Sequence, residues 1–387
     1  MSKALNITEK KIIQIHSSQK YRVHMIGFMP GFPYLGGLNE KLICPRLDSP
    51  RQVVPAGSVG IADKQTGIYP FESSGGWRLI GKTDENLFDN KNDAYKTDET
   101  YLEFSKKQTS LHIKNCEKIS TKRWRDDCLY IDWTDEVIEH KLNSIASVIL
   151  SYGSNGPDII GLQEVENKRI LKQLFKKLDG AGYEHYVLLE GSDNRGIDTA
   201  FISKYKIIKS KLHKIEFIGA TKKQIGDTRE IHESVFSIND KKMTVFNVHF
   251  PAPYNPVFMR KAAFSTLEKL ASTTKGAVLA LGDFNVTQTE DDKEETFKNA
   301  NKAWYVSHRD QCSDCNGTSY WFTGKSWSFL DVIMVRKGRD TNFVNDGVSI
   351  VNHPLQTRKD GTPIRYDAKN LIGVSDHFPV VGIIELN

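Results

Sequence analysis

Four apolar segments in the second half of the chain run directly into acidic, amide or imidazole side chains. Apolar runs of this kind are typical of strands in a packed core, where polar groups must be paired or used. A fifth apolar segment, residues 328–335, carries a single carboxylate, Asp331, in its middle. The four segments end in Gln163-Glu164, Asn247-Val248-His249, Gly282-Asp283-Phe284-Asn285 and Ser375-Asp376-His377. The pattern predicts several core strands that carry polar side chains at their ends.

The residue types and their spacing indicate what these side chains can do. Successive side chains of a strand point to opposite faces, so Asn247 and His249 share a face. The same alternation places Asp283 and Asn285 on one face. Carboxylate and amide oxygens without thiols are ligands of hard cations, so the set suits Mg²⁺ or Mn²⁺ better than zinc. Asp331 must be paired or functional, because an unpaired buried carboxylate is costly.

Each of these residues also has a structural explanation when it is taken singly. A strand-end carboxylate such as Glu164 is usually solvated, and a lone His249 is usually a hydrogen-bonded core residue. An Asp283 followed by Asn285 fits an ordinary turn. Five such coincidences within one domain favour a functional site.

The first 83 residues differ in composition from the rest of the chain. Six of the 13 prolines fall within the first 70 residues, and residues 27–37 are rich in glycine and proline, which predicts short strands and tight loops. Only residues 8–16 are typical of a helix, with Thr8 as its N-cap. The strand candidates are residues 53–54, 58–62, 67–69 and 77–80. We therefore predict a small β-rich barrel or sandwich over residues 1–83.

Residues 84–387 mix helices with strands. Thr134 precedes a segment with Asp135 and Glu136 in its first turn and apolar residues on one face, which predicts an amphipathic helix. A second helix is predicted to begin near Asn167. Strands are predicted over residues 158–162, 199–203, 243–250, 278–281 and 329–335. This mixture favours sheets covered by helices, in an α/β or α+β domain.

Length, charge and hydropathy limit the number of domains, the kind of substrate and the location that the sequence allows. A chain of 387 residues exceeds what one core usually serves, which agrees with two domains. The net charge of +5 suits an anionic substrate, but basic and acidic residues alternate and give no nucleic-acid footprint. The first residues lack the apolar core of a signal peptide, and no run of 18 apolar residues occurs. We therefore expect a cytoplasmic protein with no membrane span.

The five cysteines leave three arrangements open. Cys44 stands alone, whereas the others, Cys116, Cys128, Cys312 and Cys315, fall later in the chain. Reduced thiols, two disulfides or a four-thiolate zinc site all fit this count. If disulfides form, we expect two local pairs, Cys116 with Cys128 and Cys312 with Cys315.

The motifs of the second half resemble, in order, those of the endonuclease/exonuclease/phosphatase family, the deoxyribonuclease I-like superfamily. The matching motifs are Gln163-Glu164, Asn247-Val248-His249, Gly282-Asp283-Phe284-Asn285, Leu330-Asp331 and Ser375-Asp376-His377. The resemblance covers roughly residues 84–387 and implies an α+β fold, a four-layer α/β/β/α sandwich. It also implies a hydrolase of phosphodiester or phosphomonoester bonds, of the nuclease or phosphatase type, that depends on Mg²⁺ or Mn²⁺. Substrates of this family include nucleic acids, phospholipid head groups and small phosphates, and the sequence does not choose among them.

The same resemblance implies which residues bind the metal and activate water. Glu164 would be the principal metal ligand, and Asp376 an auxiliary one. Asp283, helped by Asn285, would position or deprotonate the attacking water. The cation would neutralise a non-bridging phosphate oxygen.

The remaining motif residues would hold the substrate. His377, oriented by Asp331 in a His–Asp pair, would hydrogen-bond the phosphate or act as acid and base. His249 would be a further catalytic residue that holds phosphate oxygens. The substrate-binding residues implied by the resemblance are Arg195, Arg229 and Asn247.

The first half resembles a second family, that of the 5-oxoprolinase B subunit, which includes a kinase-inhibitor protein and allophanate hydrolase subunit 1. The matching segments are Tyr21-Arg22-Val23 and residues 27–37, 55–62, 65–70 and 75–81. The resemblance covers roughly residues 5–90 and implies a partial, cyclophilin-like β-barrel, part of the carboxyltransferase domain, subdomain C and D. The family's N-terminal domain and its later strands are missing. The alternative function is therefore an accessory subunit of a 5-oxoprolinase or amidohydrolase complex, with an unspecified partner subunit.

The junction of the two resemblances departs from the nuclease family's pattern. Such nucleases begin with a strand that ends in Asn shortly before a Glu-Asn-Leu-Phe-Asp run; here the run is residues 85–89, and Thr83 stands at the Asn position. We expect residues 77–80 to substitute as that first strand, with Thr83 beside Glu164 and Asp376. A catalytically impaired fusion is therefore a third hypothesis. A nuclease part that derives from an exported protein would explain the cysteines.

Overall fold

The computed structural model describes residues 1–19, 21–26, 32–83, 117, 122, 125, 128–129, 131, 133–193, 196–312, 315–339 and 341–386. The chain divides into two compact units, Met1–Phe104 and Ser105–Asn387. Within the described ranges, no helix has the length and apolar character needed to cross a bilayer.

The first unit is built mainly from short strands. The helix Glu9–Ser17 begins at the predicted cap, where the Thr8 side chain accepts a hydrogen bond from Lys11 N at 3.3 Å. Two further helical segments are Ser2–Leu5 and the 3-10 helix Glu40–Leu42. The strands are β1 (Arg22–Ile26), β2 (Pro33–Gly36), β3 (Arg51–Val54), β4 (Ser58–Ala62), β5 (Gln65–Ile68), β6 (Ser73–Gly75) and β7 (Arg78–Lys82). The strands predicted from the sequence are confirmed, with shifts of a residue or two at their ends.

Strand β7 belongs to the sheet of the first unit, which corrects one expectation. A five-stranded sheet has the order β1-β2-β5-β4-β7, and β3 pairs with β6 in a separate two-stranded sheet. β7 pairs antiparallel with β4, and Thr83 N continues this pairing by donating to Gly57 O at 2.9 Å. The side chains of the adjoining core are Phe32, Tyr34, Val54, Tyr69, Trp77 and Leu79. Because residues 77–80 complete this sheet and core, they do not serve as a first strand of the second unit.

The second unit mixes helices and strands, as predicted. The helix Asp135–Leu150 begins at Thr134, whose side chain accepts from Val137 N at 3.3 Å. The helix Lys168–Lys177 begins at Asn167, whose Oδ1 is the acceptor for the N–H three residues later. Both predicted helix starts are therefore confirmed. The other helices of the described part are Lys222–Gly226, Val257–Thr273, Gln288–Glu294, Thr296–Ala300 and Ser307–Asp310.

The strands of the second unit form two larger sheets and two separate pairs. These strands are β8 (Ile159–Val165), β9 (His185–Leu188), β10 (Asp198–Ser203), β11 (Lys206–His213), β12 (Ile231–Ile238), β13 (Lys241–His249), β14 (Ala277–Asp283), β15 (Trp304–Val306), β16 (Ser319–Trp321), β17 (Ser326–Ser328), β18 (Asp331–Arg336), β19 (Thr341–Ile350) and β20 (Val380–Leu386). One sheet has the order β8-β10-β9, and a six-stranded sheet has the order β11-β12-β13-β14-β18-β15. In the six-stranded sheet β13 and β14 run parallel, and the other neighbours run antiparallel. β16 pairs with β17, and β19 pairs with β20.

Apolar cores separate the helices and sheets of the second unit into layers. One core lies between the β8-β10-β9 sheet and the helices Asp135–Leu150 and Lys168–Lys177. Another joins the inner faces of the two sheets, with side chains from β10, β12, β13, β14, β18 and β19. A third lies between the six-stranded sheet and the helix Val257–Thr273. Helices therefore cover a face of each larger sheet, and the predicted mixture of helices and strands is confirmed.

One of the two predicted cysteine pairs is present as a disulfide. Cys312 and Cys315 form a disulfide with their Cα atoms 5.6 Å apart, which confirms this local pair and excludes it from a zinc site. Cys44 is a free, buried thiol in the first unit. The other predicted pair includes Cys116, which lies outside the described residues.

Candidate active site

Three neighbouring strands of the six-stranded sheet each carry one polar residue at the same level. His249 at the end of β13 is opposite Asp283 at the end of β14, and Asp283 is opposite Asp331 at the start of β18. His249 Nε2 lies 3.6 Å from Asp283 Oδ2. Three of the predicted catalytic residues, which are distant in sequence, therefore lie in one row across the ends of these neighbouring strands.

Asp283 is buried and held by the loop that follows it. Asn285 N donates to Asp283 Oδ1 at 2.8 Å, and Asn285 Nδ2 donates to Asp283 Oδ2 at 3.0 Å. Asn285 reaches both oxygens because its φ is 53°, a left-handed conformation that Asn tolerates better than most residues. Burial and the carboxylate of Asp331 raise the pKa of Asp283 to about 7. The site therefore contains a carboxylate that can gain or lose a proton near neutral pH.

His377 and Asp331 form the predicted pair. His377 Nδ1 lies 2.8 Å from Asp331 Oδ2. The buried Gln356 donates from Nε2 to His377 O, so the backbone of the histidine is held as well. Burial lowers the pKa of His377, but Asp331 and Asp283 outweigh this effect and raise it to about 10. The imidazole is therefore a cation whose orientation is fixed by a carboxylate.

A buried threonine connects the two members of this pair. Thr318 Oγ1 accepts hydrogen bonds from Leu330 N and Asp331 N, each at 3.1 Å. Phe378 N donates to Thr318 O at 2.8 Å. Thr318 therefore fixes the start of β18 relative to the segment that carries His377.

Arg229 lies in a buried ion pair beside the row. Its Nη1 donates to Asp193 Oδ2 at 3.0 Å, and both side chains are almost fully buried. Arg229 Nη2 lies 3.5 Å from Phe250 O, the carbonyl that also accepts from Asn285 Nδ2 at 3.0 Å. Among the residues that the structure describes, Arg229 Nε finds no hydrogen-bond acceptor. A buried N–H of this kind requires a hydrogen-bond acceptor, and a phosphate oxygen is one such acceptor.

Asn247 joins the two sheets. Its Nδ2 donates to Leu162 O at 3.2 Å and to Ala200 O at 2.9 Å, and its Oδ1 accepts from Gln163 Nε2 at 2.7 Å. The side chain is fully buried. These bonds give Asn247 a positioning role for the end of β8, which is the segment that carries Glu164. Its predicted contact with substrate stays a prediction.

Glu164, the last residue but one of β8, has a backbone conformation that is rare for residues other than glycine. Its φ is 58°, and its side chain is exposed. Such backbone conformations cluster at functional sites, where the surrounding structure maintains them. Glu164 and Asp376 both act on the ammonium of Lys141: burial lowers the pKa of Lys141, and these two carboxylates raise it. Glu166 raises this pKa as well, and Arg365 lowers it.

Lys141 lies beside two rings that stack on each other with their centres 6.1 Å apart. Its Nζ lies 5.1 Å from the ring centre of Trp133 and 5.5 Å from that of Tyr366. The carboxylates of Glu164 and Asp376 are hard oxygen donors, and in their chemistry they fit Mg²⁺ or Mn²⁺. Within the described ranges, no group of three or more His, Cys, Asp or Glu side chains has the geometry of a metal site. The fit therefore rests on Glu164 and Asp376 alone.

Four residues that support the site carry no signal in the sequence. They are Lys141, Asp193, Thr318 and Gln356. Lys141 lies in a helix whose main sequence signal is its apolar face, and the other three lie between regular elements. Each acts on residues far away along the chain, so no local pattern marks it. Arg195 lies outside the described residues, and its substrate contact stays a prediction.

The sequence profile described as the Endonuclease/Exonuclease/phosphatase family matches residues 129–386. The chain belongs to the endonuclease/exonuclease/phosphatase family. Residues 1–97 match a second profile, described as the Carboxyltransferase domain, subdomain C and D. Both resemblances drawn from the motifs are confirmed.

The first unit has close relatives in bacteria. It is 63% identical over 90 residues to the B subunit of 5-oxoprolinase from Haemophilus influenzae, a match that covers 23% of this chain and 42% of the relative. It is 55% identical over 83 residues to the B subunit of 5-oxoprolinase from Escherichia coli O157:H7, covering 21% of this chain and 38% of the relative. The chain spans less than half the length of these curated relatives.

Solved structures that are similar to the second unit share little sequence with it. A humanized D. rerio TDP2 is 13% identical with a TM-score of 0.46, covering 65% of this chain and 94% of that chain. An endonuclease/exonuclease/phosphatase family protein from Leptotrichia buccalis is 16% identical with a TM-score of 0.46, covering 65% and 96%. A mannosyl-6-phosphatase from Bacteroides thetaiotaomicron is 19% identical with a TM-score of 0.44, covering 64% and 91%.

Proposed function

We propose that the second unit hydrolyses phosphodiester or phosphomonoester bonds with the help of Mg²⁺ or Mn²⁺. The observation that carries this proposal is the row of His249, Asp283 and Asp331, to which His377 is hydrogen-bonded. A carboxylate that titrates near neutral pH and a fixed imidazolium lie in one cluster. General-base catalysis and charge stabilisation at a phosphate require these two kinds of group.

Asp283 is the proposed general base. Its two oxygens accept hydrogen bonds from Asn285, so the carboxylate cannot rotate freely. Its raised pKa makes it a stronger base than an ordinary aspartate, while a large fraction remains ionised near neutral pH. In the proposed step, the carboxylate of Asp283 takes a proton from the water that attacks phosphorus.

His377, His249 and Arg229 are the proposed phosphate-binding groups. Because Nδ1 of His377 is used by Asp331, its Nε2–H is the donor left for a phosphate oxygen or the leaving oxygen. Arg229 would donate from Nε to a second oxygen. Fixed donors at the positions where negative charge develops stabilise the transition state more than the bound substrate.

Glu164 and Asp376 are the proposed metal ligands. When bound there, a divalent cation supplies positive charge that neutralises a non-bridging phosphate oxygen. Gln163 and Asn247 hold the end of β8, the strand that carries Glu164. Both carboxylates also raise the pKa of the Lys141 ammonium, against the effect of burial.

We infer the finer architecture from the same motifs. The layers of the second unit would form the four-layer α/β/β/α sandwich of the deoxyribonuclease I-like superfamily. The first unit would be a partial cyclophilin-like barrel. The domain limits would be residues 1–83 and 84–387. The high identity of the first unit to part of the 5-oxoprolinase B subunit supports this division.

The test is an assay of the full chain on a panel of phosphoesters. The panel contains single-stranded DNA, RNA, a phospholipid and a sugar phosphate, each with Mg²⁺, with Mn²⁺ and with chelator. We expect hydrolysis of at least one class with metal and its loss with chelator. No hydrolysis of any class at saturating metal would leave the impaired fusion as the better hypothesis.

A second candidate function rests on the first unit alone. Its 63% identity to the 5-oxoprolinase B subunit over 90 residues favours an accessory subunit of a 5-oxoprolinase or amidohydrolase complex. The chain covers only 42% of that relative, so we expect no rescue when it replaces this relative in a 5-oxoprolinase assay. Restored 5-oxoproline hydrolysis would support this candidate instead.

A further inference from the structure

A hairpin with exposed aromatic residues adjoins the proposed active site. β16 and β17 pair antiparallel and are joined by residues 322–325. The first residue of the hairpin, Ser319, forms a β-bridge with His377. Two residues along a strand span roughly 7 Å, so Trp321 lies about that far along β16 from the point where the hairpin meets His377.

The hairpin has an inner and an outer side. On the inner side Tyr320 is opposite Trp327, with ring centres 5.2 Å apart, and Trp327 stacks toward the buried Phe378 at 6.2 Å. Because side chains alternate along a strand, Trp321 points to the other side. Trp321 and the neighbouring Phe322 are 64% and 51% exposed. The inner rings anchor the hairpin, and Phe322 also contacts Tyr320 edge-on, with ring centres 5.1 Å apart.

Trp321 is held against the turn of its own hairpin. Its six-membered ring lies against the α-carbon of Gly324, where the β-carbon of any other residue would overlap the ring. The absence of a side chain at Gly324 is therefore what allows this position. A large ring that is already fixed on one side and exposed on the other loses little further conformational freedom when a flat ligand stacks on it.

Positive charge accompanies the exposed rings. The guanidinium of Arg358 lies 5.2 Å from the ring centre of Phe322. Lys325 is exposed in the same turn and has a left-handed φ of 49°. Rings beside cations are the combination that binds single-stranded nucleic acid, where bases stack and phosphates pair with basic groups.

We propose that this hairpin is a base-binding subsite, and that the substrate of the site is a single-stranded nucleic acid. A base near the scissile phosphate stacks on Trp321, and Arg358 pairs with a phosphate of the same strand. The distance fits, because stacked nucleotides rise roughly 3.4 Å each and the hairpin extends roughly 7 Å from His377 to Trp321. This inference deepens the proposed phosphoesterase function and rests on it for the position of the scissile bond.

The test measures binding without cleavage. The probe is a fluorescein-labelled oligothymidylate, bound to the full chain in chelator and followed by fluorescence anisotropy. We expect Trp321→Ala to weaken binding about tenfold or more, the effect of losing one base–aromatic stack. Trp321→Phe should restore most of the affinity. Gly324→Ala should weaken binding because the new methyl displaces the ring.

The control variant and control probes separate the competing explanations. Ile208→Ala removes an apolar side chain of comparable exposure, 47%, on the edge strand β11 and should not change binding. An oligomer without bases should bind wild type and Trp321→Ala equally. Absence of oligothymidylate binding to wild type, or equal binding by Trp321→Ala, would overturn the subsite. Weaker binding of Trp321→Ala to phosphatidylcholine vesicles, with oligothymidylate binding unchanged, would overturn it in favour of a lipid surface.

The result is distinguishable from failure of the proposed function. If Trp321-dependent binding is found but no phosphoester is hydrolysed, the phosphoesterase proposal fails and the base-stacking subsite stands. If hydrolysis is found but binding does not depend on Trp321, only the subsite fails.

Discussion

Glu164 is the residue on which metal binding depends most in this mechanism. It is exposed near the end of β8, has a φ of 58° and, like Asp376, raises the pKa of Lys141. We expect Glu164→Gln to lower metal-dependent hydrolysis by about 10²-fold or more while the fold is unchanged, because the shape is kept and one of the two proposed anionic ligands is lost. The measurement is the rate at increasing Mg²⁺, with the exposed loop residue Glu216→Gln as the matched control. Activity within a few-fold of wild type at saturating Mg²⁺ would show that Glu164 is not the principal ligand.

His232 gives the second unit a pH-dependent contribution to stability. It is fully buried, with Nδ1 at 3.1 Å from Thr199 O and Nε2 at 3.3 Å from Ser234 Oγ. A neutral imidazole satisfies both contacts, by donating from Nδ1 and accepting at Nε2. Burial lowers the pKa of His232 to about 4. The unfolded chain therefore binds a proton at this histidine below about pH 6.5, whereas the folded chain binds it only when the pH falls toward 4.

The stabilisation by His232 should be complete above about pH 6.5 and should disappear as the pH falls toward 4. His232→Gln removes this titration and keeps an amide that can donate to Thr199 O. Between pH 7 and pH 4.5 we expect the difference in unfolding free energy between wild type and this variant to shift by about 2 kcal/mol in the variant's favour. Denaturant unfolding of both proteins at the two pH values measures it. A constant difference would mean that His232 is protonated in the folded state.

At the scale of elements, the active-site row depends on how closely β13 and β14 approach. Gly282 has a φ of 127°, and a β-carbon there would overlap the backbone of Val248. Gly282→Ala should therefore destabilise the second unit by about 3 kcal/mol or more and displace Asp283, because strain and overlap add. Gly153→Ala is the matched control: its φ is 63° but it meets no neighbouring atom within 4 Å. Equal losses of stability in the two variants would show that the overlap has no separate effect.

The elements themselves could be predicted from local patterns, whereas their long-range contacts could not. Thr8, Thr134 and Asn167 marked helix starts because an N-cap acts within its own first turn. The joining of the sheets by Asn247 was not predictable, because its partners come from β8 and β10. The same holds for β7: residues 78–82 fit a strand of either half, and only pairing with β4 decided between them.

The residues of the site could be predicted from the sequence only where they belong to a motif. The pair of His377 with Asp331 was expected because both lie in motifs that resemble the family's, although 46 residues separate them. Lys141 and Trp321 belong to no such motif. Their relevance comes from residues far away along the chain: Glu164 and Asp376 raise the pKa of Lys141, and the hairpin that carries Trp321 forms a bridge to His377 through Ser319.

The whole molecule joins a fragment related to one family with a domain of another. Residues 1–97 match the carboxyltransferase subdomain and residues 129–386 match the endonuclease/exonuclease/phosphatase family. The larger match contains every described residue of the proposed site. The activity of the whole chain should therefore follow the chemistry of the second unit.

The most direct test of this account is the rate of phosphoester hydrolysis by the full chain when Asp283 is replaced. With Mg²⁺ and a substrate that wild type cleaves, Asp283→Asn should lower kcat by about 10³-fold or more, because the amide cannot accept a proton from water. Asp240→Asn, in the turn at the other end of β13, should keep the wild-type rate. Near-wild-type turnover by Asp283→Asn, in a protein that is still folded, would contradict the proposed active site.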